Sequence, residues 1–154
     1  MTNFALTPAL HYYAPRAADS APRHIECDFA IYGATPGGLA AAITAQRLGL
    51  RAVAVEHSKH LGGVTASGLG ETDFGDKAAV GGLSREFYRR LGAHYGQEEA
   101  WKFEPHVAEA TFSAMMLEAG VEVFLNEPLT GVQMEGNRIA SISTQSGATF
   151  AAPF

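Results

Sequence analysis

Six residues set between an apolar run and an alanine-rich segment, Gly33-Ala34-Thr35-Pro36-Gly37-Gly38, constrain this chain more than any other feature. Before them, Cys27–Tyr32 (CDFAIY) reads as a buried strand. After them, Gly37–Leu48 has apolar residues at helical spacing, and Gly49 sits where a glycine ends a helix. Arg51–Glu56 (RAVAVE) reads as a second strand. Strand, tight turn, helix and strand within about 30 residues make a βαβ unit, whose strands must be parallel with a right-handed crossover.

The turn is a G-x-G-x-x-G pattern with Thr35 at the second glycine position. Gly33 lets the chain leave the strand sharply, and Gly38 lets the helix pack close to the sheet. Thr35 narrows the approach to a ligand but offers a hydroxyl. Pro36 presets φ for a first helical turn. The N–H groups at the helix start, at the positive end of its dipole, then face an anion. Glu56 lies 18 positions after Gly38, close to the roughly 20 expected of a ribose-binding acid. A carboxylate there accepts from ribose hydroxyls and repels a 2′-phosphate, which disfavours NADP. A lone glycine turn satisfies backbone geometry and nothing more. Strand, turn, helix and acid in order point instead to a bound dinucleotide.

Composition sets outer limits. The chain of 154 residues is 47% hydrophobic and 18% charged, as expected of a folded domain. Its net charge of −5 and the lack of a basic stripe, Arg85, Arg89 and Arg90 being the only tight cluster, argue against nucleic acid. No apolar run approaches the ~20 residues of a membrane span. Met1–His24 lacks the pattern of a signal peptide, and residues 1–26, with Pro8, Pro15 and Pro22, read as an N-terminal arm. Cys27 is the only cysteine, which rules out an intrachain disulfide and fits a reducing, cytoplasmic setting. The 17 glycines concentrate between Gly33 and Gly82, as a backbone that closely approaches a ligand requires.

Residues 27–154 read as one α/β domain. His57–Gly82 is irregular and glycine-rich, Ser84–Tyr95 is helical with Leu83, Phe87, Leu91 and Tyr95 on one face, and Pro105 opens a helix ending at Gly120. Val121–Leu125 is a strand. A β-meander follows, with strands at Gly131–Glu135, Arg138–Thr144 and Ala148–Ala151 joined by turns at Gly136-Asn137 and Ser146-Gly147. In an NAD domain a helix follows the second strand quickly. Here His57-Ser58-Lys59-His60-Leu61-Gly62-Gly63 leads to a small-residue stretch able to lie along a long ligand.

The motifs GATPGGLAAA (33–42), Val55-Glu56, His60-Leu61-Gly62-Gly63, Ser67-Gly68-Leu69-Gly70, Thr72-Asp73-Phe74-Gly75, Gly81-Gly82-Leu83 and Phe103-Glu104-Pro105-His106 stand in order along the chain. Together they resemble the FAD-dependent oxidoreductases of the large glutathione-reductase-like class, and within it a bacterial branch with a GATP-type turn. The resemblance runs from about Asp28 to the end of the chain. It implies a Rossmann-like FAD-binding fold and FAD as cofactor. Gly33, Thr35, Pro36, Gly37 and Gly38 match the pyrophosphate turn, and Glu56, with His57 beside it, matches the adenosine-ribose acid. Gly62, Gly63 and Thr65 match the loop beside pyrophosphate and flavin, Ser67, Gly68 and Gly70 lie toward the flavin ring, and Leu129 falls where backbone meets adenine. Members normally continue beyond the point matching Phe154, so the resemblance implies a truncated, N-terminal portion of a longer protein, completed by further chain or by a partner.

No catalytic residue is assigned. His60 has a side chain suited to proton transfer, but a loop histidine bonded to backbone is the simpler reading, and the same holds for His106 in the helix opened by Pro105. Glu71 and Asp73 could divide acid and base roles, yet such pairs are commonly solvated. His57 and His60 have no third metal ligand nearby. No cysteine pair stands near the Gly62-Gly63 doublet, where Val64 and Ala66 flank Thr65, so the disulfide relay of the disulfide reductases is excluded. Trp101 and Phe103 read as packing residues. The expected function is hydride or electron transfer between a small-molecule substrate and FAD. Two alternatives remain: an NAD-binding dehydrogenase domain, and a non-catalytic FAD-binding subunit that needs another chain.

Overall fold

The computed structural model describes residues 23–154, so most of the expected N-terminal arm, residues 1–22, lies outside the described residues. The elements in order are β1 (His24–Glu26), β2 (Phe29–Tyr32), α1 (Pro36–Arg47), β3 (Ala52–Val55), α2 (Gly63–Ser67), a 3-10 turn (Lys77–Ala79), α3 (Gly82–His94), α4 (Pro105–Ala119), β4 (Glu122–Phe124), β5 (Leu129–Glu135), β6 (Arg138–Thr144) and β7 (Thr149–Ala151). They form two sheets. One is parallel, in the order β2-β3-β4, and the other runs β1-β7-β6-β5.

The central strand β3 is apolar on both faces because both are covered. Ala52 and Ala54 face the helices, packed with Leu39, Ile43, Phe112 and Met116. Val53 and Val55 face the second sheet, packed with Ile142, Ala148 and Phe150. Phe124 of β4 meets Phe150 edge-on at 4.9 Å between centroids, closing this second layer. The result is helices, parallel sheet and meander stacked in three layers. The small side chains of α1 let it lie against β2 and β3, while Phe87 of α3 stacks on Phe112 of α4 at 4.2 Å. The face expected on α3 is the one that packs inward: Phe87 and Leu91 are buried, with Leu83 and Tyr95 at its margin.

Three features differ from the sequence reading. First, the run expected as one strand over 27–32 switches sheets at its start. Cys27 N–H donates to Ala151 O, whereas Asp28 and Phe29 N–H both donate to Arg51 O. Second, His24–Glu26, read as the end of an arm, pairs in parallel with β7 and extends the meander sheet. Third, the stretch 57–82 contains the five-residue helix α2, too short for a helical period to show in sequence. Cys27 is half-buried with its thiol toward Ala151 O, and burial pushes its pKa up despite the nearby Arg51 guanidinium. That is the state of a packing thiol rather than a nucleophile.

Helix α4 ends as read. Gly120 adopts φ 73° and its N–H returns to Leu117 O at 3.0 Å. Only Gln46 Nε2, at 3.8 Å, lies near the position of an added Cβ, so a side chain there meets open space and is opposed by backbone strain alone. The Gly120→Ala variant is expected to lose about 1 kcal/mol of stability in urea unfolding, without a change in slope.

Candidate cofactor-binding site

The site lies at the C-terminal ends of β2, β3 and β4, where open α/β sheets bind ligands. Leaving β2, Gly33 donates its N–H to Val55 O at 2.8 Å and tethers the turn to the neighbouring strand. Thr35 is the N-cap of α1: its Oγ1 accepts from Gly38 N–H at 3.3 Å, and Pro36 fills the first helical position. Leu39 N–H closes the first helical turn on Thr35 O at 2.8 Å, so the N–H groups of Gly37 and Gly38 precede it at the exposed helix end. Gly38 sits against the strand: a Cβ there would lie 2.1 Å from Gly33 O and 3.1 Å from Ile31 Cγ2.

Glu56 follows β3, and its carboxylate turns into the mouth of the bend. Oε2 accepts from Ala34 N–H at 2.8 Å, while Oε1 accepts from Ser58 N–H at 2.9 Å and lies 2.8 Å from His57 Nδ1. Glu56 is only 5% exposed. Burial alone would raise its pKa, but the Ser58 and Ala34 N–H groups, the Ser58 side chain and His57 outweigh it and hold the carboxyl below its ordinary value. With two partners on Oε1 and one on Oε2, an acceptor position remains on Oε2 for a hydroxyl.

The loop after Glu56 closes over the same turn. Gly62 N–H donates to Ala34 O at 2.8 Å, and Gly63 starts α2 with Thr35 against it: an added Cβ would stand 3.5 Å from both Thr35 Cα and Cγ2. Thr65, with Pro36, Leu39, Phe87, Tyr88 and Met115, lines a small apolar hollow between α1 and α3. Ser67 Oγ donates to Gly63 O at 2.7 Å inside α2, and Gly68 ends that helix. Gly70 lies farther off, its carbonyl accepting from Phe103 N–H at 2.8 Å. Leu129 is exposed, and its N–H donates to Tyr32 Oη at 2.9 Å. The turn, Glu56, His57, Gly62 and Gly63 therefore form one bonded group. Thr65, Ser67, Gly68 and Gly70 extend from one side of it and Leu129 stands at the other.

The other titratable candidates lie outside this group. His60 Nδ1 is 3.0 Å from Glu109 Oε1 of α4, which also accepts from Leu61 N–H, so this pair anchors the loop to the helix. Glu71 pairs with Lys102 at 3.5 Å, and His106 is exposed on the first turn of α4. Trp101 and Phe103 are buried, and Trp101 stacks on Tyr88 at 4.0 Å. Among the described residues no cluster of three or more His, Cys, Asp or Glu could hold a metal, and no helix is long and apolar enough to cross a membrane.

Sequence reasoning missed the far wall of the site. Glu127, 3% exposed, receives Thr144 Oγ1 and Ser146 Oγ (2.6 Å) on one oxygen and Arg23 Nη2 (3.0 Å) on the other. It fixes the β4–β5 connection to the meander. Its partners are 104, 17 and 19 residues away in sequence, so no local spacing could reveal them.

Comparison with known proteins agrees with this geometry. Residues 28–154 match the model of the family described as FAD dependent oxidoreductase. No curated protein sequence matches the chain. The fold resembles L-proline dehydrogenase from P. horikoshii, with 12% identity and a TM-score of 0.60 over 87% of this chain and 52% of that one. It also resembles the 3-ketosteroid-delta4-(5alpha)-dehydrogenase of Rhodococcus jostii, with 16% identity and a TM-score of 0.59 over 90% and 47% of the two chains. A third likeness is the bacillithiol disulfide reductase of Staphylococcus aureus, with 19% identity and a TM-score of 0.57 over 84% and 37%. The chain thus spans between 37% and 52% of the length of these three structures. The match over residues 28–154, read with the turn and its facing acid, places the chain in the FAD dependent oxidoreductase family.

Proposed function

We propose that this chain holds the adenosine diphosphate half of FAD and presents the flavin to a small-molecule substrate, within the GATP-turn branch of the glutathione-reductase-like class. The observation that carries the reading is the 2.8 Å bond from Ala34 N–H to Glu56 Oε2. It brings an acid with a spare acceptor position against the exposed start of α1, the pairing that a ribose next to a pyrophosphate requires. Gly37 N–H and the Thr35 hydroxyl, held by Gly38 N–H, face the phosphates with Pro36 and the Gly62-Gly63 backbone alongside, and Glu56 takes the ribose with His57 beside it. Thr65, Ser67, Gly68 and Gly70 flank the path toward the flavin, and Leu129 stands at the adenine end. Flavin, when bound, supplies the hydride or electron acceptor. The residues described here bind and orient it, and no side chain of the group is assigned to proton transfer.

The rest of the site comes from further chain or from a partner. The apolar surface formed by Phe29, Ala40, Thr44, Leu48 and Leu50 beside β2 supports that reading. The cytoplasm, where a single thiol stays reduced, is the setting assigned to it. The product of the complete reading frame is expected to purify yellow, with a flavin absorption band that survives dialysis. A folded, colourless product that takes up no added FAD would refute the proposal. Binding of NAD in preference to FAD would favour a dehydrogenase domain instead.

A further inference from the structure

The Gly62-Gly63 doublet reaches the phosphate turn at the end of a loop, residues 57–62, that has no helix or strand of its own. Such backbone opens locally unless something ties it down. The first half is tied to the strands. Ser58 N–H donates to Glu56 Oε1, and Ser58 O accepts from Asn126 N–H, both at 2.9 Å.

The second half is tied to α4. Glu109 Oε1 accepts from Leu61 N–H at 3.0 Å, and His60 Nδ1 lies 3.0 and 3.1 Å from the two carboxylate oxygens. Phe112, three residues on and on the same face of α4, packs against Gly62: an added Cβ there would stand 2.7 Å from Phe112 Cδ2. Gly62 N–H then donates to Ala34 O, inside the phosphate turn, at 2.8 Å. Glu109 is thus linked to the turn through two successive backbone amides, those of Leu61 and Gly62. Glu118, farther along α4, pairs instead with Arg90 of α3 at 2.6 Å.

We infer that Glu109 is a positioning residue for the cofactor: by holding residues 60–61 against α4 it keeps Gly62-Gly63 closed on the phosphate turn. Without it the loop opens, and a ligand must first close it. Two hydrogen bonds to a carboxylate, lost together, correspond to roughly a hundredfold in that closing equilibrium. A loop closed roughly nine times in ten then becomes one open roughly nine times in ten, and apparent affinity falls with the closed fraction, roughly tenfold.

This rests on the FAD reading, and the test separates the two. The apoprotein of the complete reading frame is titrated with FAD as wild type, Glu109→Ala, Glu109→Gln and Glu118→Ala. Hydrogen exchange of residues 60–63 is followed in each by mass spectrometry, with and without FAD. Glu109→Ala is expected to bind FAD roughly tenfold more weakly and to exchange this segment faster than wild type, with FAD restoring protection. Glu109→Gln keeps an acceptor for Leu61 N–H and is expected to recover part of the affinity. Glu118→Ala breaks an ion pair on the same helix and is expected to bind as wild type does, which separates loop closure from a general weakening of α4. A folded Glu109→Ala protein with wild-type affinity overturns the inference and leaves the cofactor reading intact. So does weaker binding with unchanged exchange, or an equal loss in Glu118→Ala. Failure of wild type to bind FAD refutes the cofactor reading itself. Where Glu109→Ala does not fold, Glu109→Gln carries the test. Its neutral acceptor holds Leu61 N–H less tightly than a charged one, so the segment should exchange faster than in wild type, and an unchanged rate overturns the inference.

Discussion

Replacement of Gly38 by alanine is expected to abolish retention of FAD and to lower stability by about 3 kcal/mol. The added Cβ would lie 2.1 Å from the carbonyl oxygen of Gly33 and 3.1 Å from Ile31 Cγ2. The first obstacle is backbone, and it cannot rotate aside as a side chain can. Helix α1 must therefore lift from β2 or the turn must open. Either movement carries the Gly37 and Gly38 N–H groups and the Thr35 hydroxyl away from one another. Two hydrogen bonds to a charged phosphate, lost together, correspond to roughly a hundredfold in affinity. Gly37 provides the internal control, since an added Cβ there meets only Thr35 Oγ1, at 4.0 Å. Chemical unfolding and FAD titration of both variants check the prediction. Equal behaviour of Gly37→Ala and Gly38→Ala would show that the close approach of helix to strand does not govern the site.

That contrast also shows what the sequence makes legible and what it hides. The N1 prolines at Pro36 and Pro105 and the closing Gly120 are written locally, because each depends on residues within one turn of helix, and the βαβ unit is legible because its strand, turn, helix and strand are contiguous in the chain. The acid at position 56 is legible for a related reason: helix length fixes how far along the chain the next strand must end. The three-layer packing is not local. Val53 and Val55 look like Ala52 and Ala54 to any periodicity, and only the meander, about 90 residues later, gives them a second apolar layer. Likewise α2 is held by Gly62 N–H on Ala34 O rather than by its own five residues. Tyr32 reads in sequence as the end of a buried strand, and its role at the β4–β5 connection comes from contacts 95 and 97 positions away.

Substitution of Glu56 by glutamine is expected to weaken FAD binding at least tenfold and to cost about 2–3 kcal/mol of stability at neutral pH. The carboxylate accepts from Ala34 N–H on one oxygen and from Ser58 N–H on the other. An amide of the same shape has only one acceptor atom, so its NH2 must face one of those donors, and the ribose loses its charged acceptor. The pH dependence identifies the cause. The Glu56 carboxyl titrates below its ordinary value of 4.5 in the folded chain, so its ionised form favours folding. This contribution is complete above the unfolded-state value and is lost as pH falls through the folded one. The stability gap between wild type and Glu56→Gln should thus be widest near neutrality and narrow steadily as pH falls below about 4.5, reaching its minimum once the folded-state carboxyl is protonated too. Urea unfolding of the two proteins across that range measures it. A gap that stays constant into acid would mean that shape, and not charge, holds the acid against the phosphate turn.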